Sequence, residues 1–263
     1  MNQLPTKAII LARGLGTRMR AADEGAALTK EQTLVASQGI KALIPVADGK
    51  TMLELILENL ADAGFIDLCL VIGPEHDAIR GFCSEKHLQV RFAVQQEPLG
   101  TADAVLAAER FIGPDDLFLV VNSDNIYPVK SLRRLRNEAC PALIGFERSS
   151  LIAKSNIHED RIAKFAAIEI DEAGNLIRIV EKPKDIAACS YVSMNSWLFS
   201  PKIFDACKAI GPSERGEYEI TAAVQYAIDV LGERFAVVTS DEGVLDLSSR
   251  ADIESVGRFL NNK

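Results

Sequence analysis

The chain has 263 residues, of which 48% are hydrophobic and 25% charged, and a formal net charge of −8. It is long and apolar enough to bury a sizeable core, and its acidic balance argues against a nucleic-acid-binding protein, which usually carries a basic face. No apolar run approaches the roughly 18 residues of a membrane span, and the start MNQLPTKAIILARG turns polar too early for a secretory signal. The five cysteines, Cys69, Cys83, Cys140, Cys189 and Cys207, are odd in number and lack CxxC spacing, a pattern expected of free thiols in the cytoplasm. His76, His87 and His158 make no metal-ligand spacing. An acidic chain that binds phosphates must concentrate cations, backbone N–H groups or a metal ion locally.

Lys7–Leu11 is a short apolar run ending at glycines, the pattern of a buried strand. Thr51–Ala63 places Leu53, Ile56, Leu57 and Leu60 on one helical face, and Gly64 follows as a stop. Strands are expected at 67–72, 89–94 and 117–121, with helices from about Glu75 and over 101–111, Thr101 as the cap of the latter. Apolar strands alternating with helices indicate a largely parallel α/β sheet. The second half adds a hairpin, 162–170 with 176–181, around Asp171-Glu-Ala-Gly-Asn175. A strand at 191–199, helices near 201–210 and 219–231, a strand at 235–239 and a helix over 249–260 complete the chain. Glu147–Asp160 is polar without periodicity and is expected to be a mobile loop. The expected fold class is α/β: a single Rossmann-like three-layer domain over residues 1–263, with a mixed, mostly parallel sheet and a small antiparallel addition.

The strongest local signal is Leu11-Ala-Arg-Gly-Leu-Gly-Thr-Arg-Met19, directly after the first strand. Glycines let backbone N–H groups approach phosphates, and Arg18 adds a fork of donors. A dinucleotide-binding loop is the rival, but Met19 stands where its third glycine belongs and no acidic residue follows in the expected strand context. Asp124 follows an apolar strand, where open α/β sheets bind ligands, although a turn-forming aspartate fits equally. Asp246 is either a second carboxylate at a strand end or part of a cap with Ser248 and Ser249. Two such carboxylates could hold Mg²⁺, which favours a few carboxylates plus substrate phosphates. Gln95 offers an amide that complements the edge of uracil or thymine, or is a surface glutamine. Lys182 is a solvated strand lysine or a phosphate counter-charge. Asn195 binds a hydroxyl or pins a turn, Glu217 binds sugar or caps a helix, and Trp197 is core.

In order along almost the whole chain, these segments resemble the sugar-nucleotide pyrophosphorylases, nucleotidylyltransferases such as glucose-1-phosphate thymidylyl- and uridylyltransferases. The resemblance implies a nucleotide site at Leu11, Ala12, Gly14, Gly16, Thr17, Arg18, Gln95, Gly100 and Thr101. Lys41-Ala-Leu-Ile-Pro-Val46 is similar to the half of the signature whose lysine contacts triphosphate. Val121-Asn-Ser-Asp124 and Val244-Leu-Asp246 resemble the strand ends that carry the metal-binding aspartates. Ile179-Val-Glu-Lys-Pro183, Met194–Phe199 and Arg215–Thr221 resemble the sugar-phosphate segments, which places Glu181, Lys182, Asn195, Arg215 and Glu217 on the acceptor. The implied catalytic set is Arg18, Lys41, Asp124, Lys182 and Asp246, with Mg²⁺ as cofactor, and a nucleoside triphosphate and a sugar 1-phosphate as partners. UTP or dTTP is favoured by Gln95 and by the Arg215–Thr221 segment. Relatives often assemble, which leaves room for a homo-oligomer.

The chain departs from the family pattern at several places, among them Arg20-Ala21 and Ala42, which stand where prolines are usual. Arg13 stands where a small residue is usual, and Lys41 follows Arg18 at an unusually wide gap. The intervening Ala21–Gly39 is expected to be an inserted flap or short helix. Leu247-Ser248-Ser249 replaces the usual glycine and threonine after the second aspartate. The left-handed β-helix of some relatives is not expected. The altered segments at Arg13 and Asp246 motivate a second reading, a non-catalytic homologue that senses nucleotide sugars; a third keeps the chemistry but changes the acceptor, as in a cytidylyltransferase for a non-sugar phosphate.

Overall fold

The structure, a computed structural model, describes residues 4–21, 26, 28–183 and 189–261. Its strands are β1 (Lys7–Leu11), β2 (Pro45–Ala47), β3 (Lys50–Thr51), β4 (Asp67–Ile72), β5 (Val90–Val94), β6 (Phe118–Asn122), β7 (Asn125–Ile126), β8 (Ala142–Glu147), β9 (Ala166–Ile170), β10 (Leu176–Val180), β11 (Tyr191–Phe199), β12 (Ala236–Ser240) and β13 (Leu245–Asp246). Nine form one sheet. β1 lies between β4 and β6, all parallel, and β5 continues beyond β4. β11 runs antiparallel to β6 on one side and β8 on the other, and β12 pairs parallel to β8. The β9–β10 hairpin joins the first half of β11. The fold is therefore α/β with a mixed, mostly parallel sheet.

Alternation along each strand builds two cores. Ala8 and Ile10 face one side, where they join Leu53, Ile56 and Leu60 of helix Met52–Ala63. Ile9 and Val71 face the other, with Val105 of helix Thr101–Ala107, Phe204 of helix Lys202–Ala209 and Val224 of helix Ile220–Asp229. Helix Met52–Ala63 begins at a reciprocal capping box between Thr51 and Glu54 and ends at Gly64.

Two expectations change. Ala142–Glu147 is a strand inside the sheet rather than unassigned chain. Glu147–Asp160 is no loop: helix Arg148–Lys154 and the start of helix Glu159–Ile162 occupy it, and Leu151, Ser155, Asn156 and Ile157 are buried. Its polar residues bond inward, which hides any periodicity. Of the expected flap, residues 22–25 and 27 lie outside the described residues. The described part forms helix Lys30–Gln38, capped by Thr29 and Gln32 and tied to the body by Gln32 Nε2 donating to the Pro45 carbonyl at 2.8 Å.

Candidate active site

Between β4 and β6, the carboxyl end of β1 opens at the point where the strand order reverses, the usual ligand crevice of an open α/β sheet. Ala12 donates its N–H to the Val71 carbonyl at 2.8 Å, and Ser123 donates to the Leu11 carbonyl at 3.1 Å, so the exits of three strands are fastened together. The glycine loop rises from this point. Gly16 has φ +60° and packs on the Gly39 backbone, where any Cβ would collide. The short helix Thr17–Arg20 follows. Arg18 on it is exposed and has no acidic partner among the described residues.

Facing the loop, Lys41 Nζ donates to Asp124 Oδ2 at 2.8 Å, both side chains being mostly buried. Asp124 lies in the turn between β6 and β7. Its carbonyl accepts from the Leu247 N–H at 2.8 Å, and β13 pairs antiparallel with β7, Asp246 opposite Asn125. Two aspartates far apart in the chain thus stand side by side. Their carboxylates differ in access. Asp124 opens on the cleft, whereas Asp246 is 4% exposed and set behind it. Asp246 Oδ1 accepts from Asn125 Nδ2 at 2.9 Å, and Oδ2 accepts from Ser248 Oγ at 2.8 Å and from the Arg161 guanidinium. Burial and the neighbouring Asp124 charge raise the Asp246 carboxyl, and Arg161 opposes them. Among the described residues no third acidic, histidine or cysteine side chain completes a metal-binding group with them. One cleft-facing carboxylate with a second behind it suits magnesium, which completes its shell with phosphate and water.

The opposite end of the cleft is framed by β4 and β5. Gln95 is 3% exposed, and its Nε2 donates to the Gly100 carbonyl at 3.0 Å and to Asp103 Oδ2 at 2.8 Å. Its donors are consumed, so it presents only Oε1 as an acceptor, not both halves of the amide. Gly100 has φ +121° and abuts the Tyr218 backbone. Thr101 does not cap its helix; its Oγ1 accepts from the Ile220 N–H at 2.9 Å. Arg13, with a side chain 7% exposed, turns to this end: it donates to the Gln95 carbonyl and, through Nε and Nη2, to both oxygens of Glu75 at 3.2 Å. His76 Nδ1 accepts from the Gly73 N–H, and burial lowers its pKa.

Glu181, Lys182, Arg215, Glu217 and Glu219 form a charged cluster beside the cleft. Burial and then the Glu219 charge raise the Glu181 carboxyl, Lys182 and Arg215 counter this, and Glu217 adds to it. Arg215 pairs with Glu219. Lys182 and Asn195 both adopt positive φ, +47° and +56°, a costly backbone state of the kind that gathers at functional sites. Asn195 sits where β11 shifts register between Ser193 and Trp197. The Tyr127 hydroxyl pins this bulge, donating to the Met194 carbonyl at 2.6 Å.

The cleft itself, about 370 Å³, is walled by Leu11, Ala12, Gly14, Gly16, Thr17 and Arg18, by Lys41 and Asp124, and by Gln95, Gly100, Thr101 and Glu217. Glu181, Lys182, Asn195, Arg215 and Asp246 are not on that wall. Sequence reasoning missed Arg161, Asn125, Asn156 and Tyr127, and missed His76 and Ser248 as wall residues. Only the order Asp124-Asn125 within one turn hinted at any of them.

The family profile described as nucleotidyl transferase matches residues 7–262. The chain belongs to the nucleotidyl transferase family. Within it, a glucose-1-phosphate thymidylyltransferase of Streptomyces griseus is 34% identical over 232 residues, 85% of this chain and 57% of that protein. The low-salt glycan biosynthesis nucleotidyltransferase Agl11 of Haloferax volcanii is 31% identical over 234 residues, 85% of this chain and 59% of that one. The chain therefore spans less than two thirds of the length of these two relatives. It matches the UTP–glucose-1-phosphate uridylyltransferase AglF of Haloferax volcanii almost end to end, 28% identical over 262 residues, 98% of this chain and 97% of AglF. The solved structure of a UDP-glucose pyrophosphorylase complexed with UDP-glucose shares the fold, with a TM-score of 0.75 at 18% identity over 98% of this chain and 99% of that one.

Proposed function

We propose that this member of the nucleotidyl transferase family joins a nucleoside triphosphate, UTP or dTTP by preference, to a hexose 1-phosphate and releases pyrophosphate. The observation that supports it most is the convergence of the glycine loop, Arg18, Lys41 and Asp124 on one cleft at the strand-order reversal. In this reading the loop's N–H groups, Arg18 and Lys41 hold the triphosphate. Gln95 Oε1 accepts from the N3–H of the base. Lys182 and Arg215 offset the charge of the sugar phosphate, and Glu181, Glu217 and Asn195 take its hydroxyls. The sugar phosphate oxygen attacks the α-phosphorus and the bond to pyrophosphate breaks. The nucleophile arrives ionised, so no side chain has to remove a proton. Asp124, with Asp246 behind it, would hold Mg²⁺, which when bound neutralises phosphate charge. Positioning and charge neutralisation then supply the acceleration.

The test is a pyrophosphate-release panel of five nucleoside triphosphates, dTTP included, against several hexose 1-phosphates with and without Mg²⁺. Release with UTP or dTTP that stops in Asp124→Asn supports the reading; no release from any pair, or near-normal turnover of that variant, refutes it. Arg13, turned to Glu75, and the Leu247-Ser248-Ser249 segment after Asp246 favour one second reading, a nucleotide-sugar sensor. It requires ligand binding without release.

A further inference from the structure

We infer that Arg161 is the positioning residue for Asp246, fixing that carboxylate beside Asp124 for a divalent ion; the inference rests on the nucleotidyltransferase reading above. Three separate elements meet at this guanidinium. Arg161 belongs to the short helix Glu159–Ile162, Asp246 to β13, and Asp252 to the final helix Ala251–Asn261. One Nη donates to Asp246 Oδ2 and the other to Asp252 Oδ1, at 2.5 Å for the latter. The three side chains are 13%, 6% and 9% exposed. Asp252 is itself anchored, its Oδ2 accepting from the Ser248 and Ser249 N–H groups at 3.0 and 2.7 Å and from Ser249 Oγ at 2.9 Å. The segment bearing Arg161 also grips the Asp246 backbone. Asn156 Oδ1 accepts from its N–H at 2.9 Å, and Asn156 Nδ2 donates to its carbonyl at 2.8 Å.

Asp246 is thus held at its backbone and at both carboxylate oxygens, by groups that themselves are held. A carboxylate standing beside the charge of Asp124 would otherwise turn away. A rigid, fully bonded support of this kind is what lets an outer residue tune a metal ligand. The alternative is that Arg161 is only a counter-ion. The two roles predict opposite signs. Removing a mere counter-ion leaves more negative charge and tightens the binding of a dication. Removing a positioning residue frees Asp246 and weakens it.

The experiment is a titration of Mn²⁺, alone and with UTP, followed by the electron paramagnetic resonance signal of free Mn²⁺. It compares wild type, Asp124→Asn, Asp246→Asn, Arg161→Lys, Arg161→Met and Asp252→Asn. The expectation is that Arg161→Met weakens Mn²⁺ by about 10–100-fold, the usual cost of an outer-shell change, and that Arg161→Lys recovers part of it. Should Arg161→Met fail to fold, Asp252→Asn serves instead. It cuts the far anchor while leaving the Arg161–Asp246 pair, and weakening by several-fold is expected. Unchanged or tighter Mn²⁺ binding in the folded variants overturns the inference, as does binding that survives Asp246→Asn. Mn²⁺ binding that depends on Arg161 in a protein releasing no pyrophosphate sinks the functional reading and leaves the inference standing. Pyrophosphate release with Arg161-independent Mn²⁺ binding does the reverse. A wild type that binds no Mn²⁺ even with UTP overturns both.

Discussion

Tyr127→Phe removes one buried oxygen and tests how the β11 bulge at Asn195 is held. Tyr127 is 2% exposed, and its hydroxyl gives its proton to the Met194 carbonyl at 2.6 Å, with the Asn195 carbonyl at 3.3 Å and the Asn122 N–H at 3.4 Å around it. The ladder from β11 to β6 begins only at Trp197, so the bulge has no strand partner there to replace the lost donor. Leaving a buried carbonyl unpaired costs about 1–3 kcal/mol. In a chain of this size that is a fall in Tm of a few degrees to about 10 °C. Urea unfolding at pH 7, followed by circular dichroism, measures it. The loss should depend on pH in a defined sense. Burial holds the phenol well above its ordinary value of 10. As pH rises past 10 the unfolded chain therefore loses this proton first. The wild type then loses stability that the phenylalanine variant does not, and the gap between them narrows. A variant within about 0.5 kcal/mol of wild type at pH 7 refutes the pinning of the bulge, that margin being the ordinary effect of a harmless substitution.

Lys41→Met should lower kcat/KM for pyrophosphate release by about 10²–10³ while leaving the chain folded, since Asp124 still opens on the cleft, where water can hydrate it; a drop under fivefold counts against its triphosphate role. Gly100→Ala forces a Cβ into the Tyr218 backbone at φ +121° and should cost about 1–3 kcal/mol, read as a lower Tm together with a raised KM for the nucleotide. Arg13→Ala strips the Gln95 carbonyl of its charged donor and releases Glu75, so KM for the nucleotide should rise roughly tenfold, as loss of a charge-assisted bond predicts, with KM for the sugar phosphate unmoved. Equal changes in both constants would show that Arg13 supports the whole cleft instead of its base end.

Much of the parallel half of the fold was legible because local signals agreed. Lys7–Leu11, 67–72 and Leu117–Val121 are apolar on both faces, and the glycine after Leu60–Ala63 marks a helix end that the structure places at Gly64. The 142–147 strand was lost for the opposite reason. Ala142-Leu-Ile-Gly-Phe-Glu147 is short, and Gly145 interrupts it without any turn. The glycine is there because Ile168 and Val237 side chains approach it, so that a Cβ would meet both at 2.8 Å. That is a tertiary demand, invisible along the chain. The segment after it failed likewise: Asn156 and Arg161 look like solvated loop residues until their partners, about ninety positions away, are known.

The same limit explains which half of the site could be found. The glycine loop, Lys41 and Gln95, which the structure brings to one cleft wall, stand out in the sequence because each lies in a short contiguous run. What sequence could not weigh was commitment. Gln95 is glutamine in either reading, yet with both N–H bonds spent on Gly100 and Asp103 it can only accept. Any ligand that offers it a second acceptor meets a repulsive edge, because turning the amide would break two buried bonds. Asp246 is aspartate in either reading, yet it stands behind Asp124 with Arg161, Asn125 and Ser248 on its oxygens. A side chain's chemistry is set by the hydrogen bonds it has left, and those are decided by residues that lie far off in the chain and side by side in the fold.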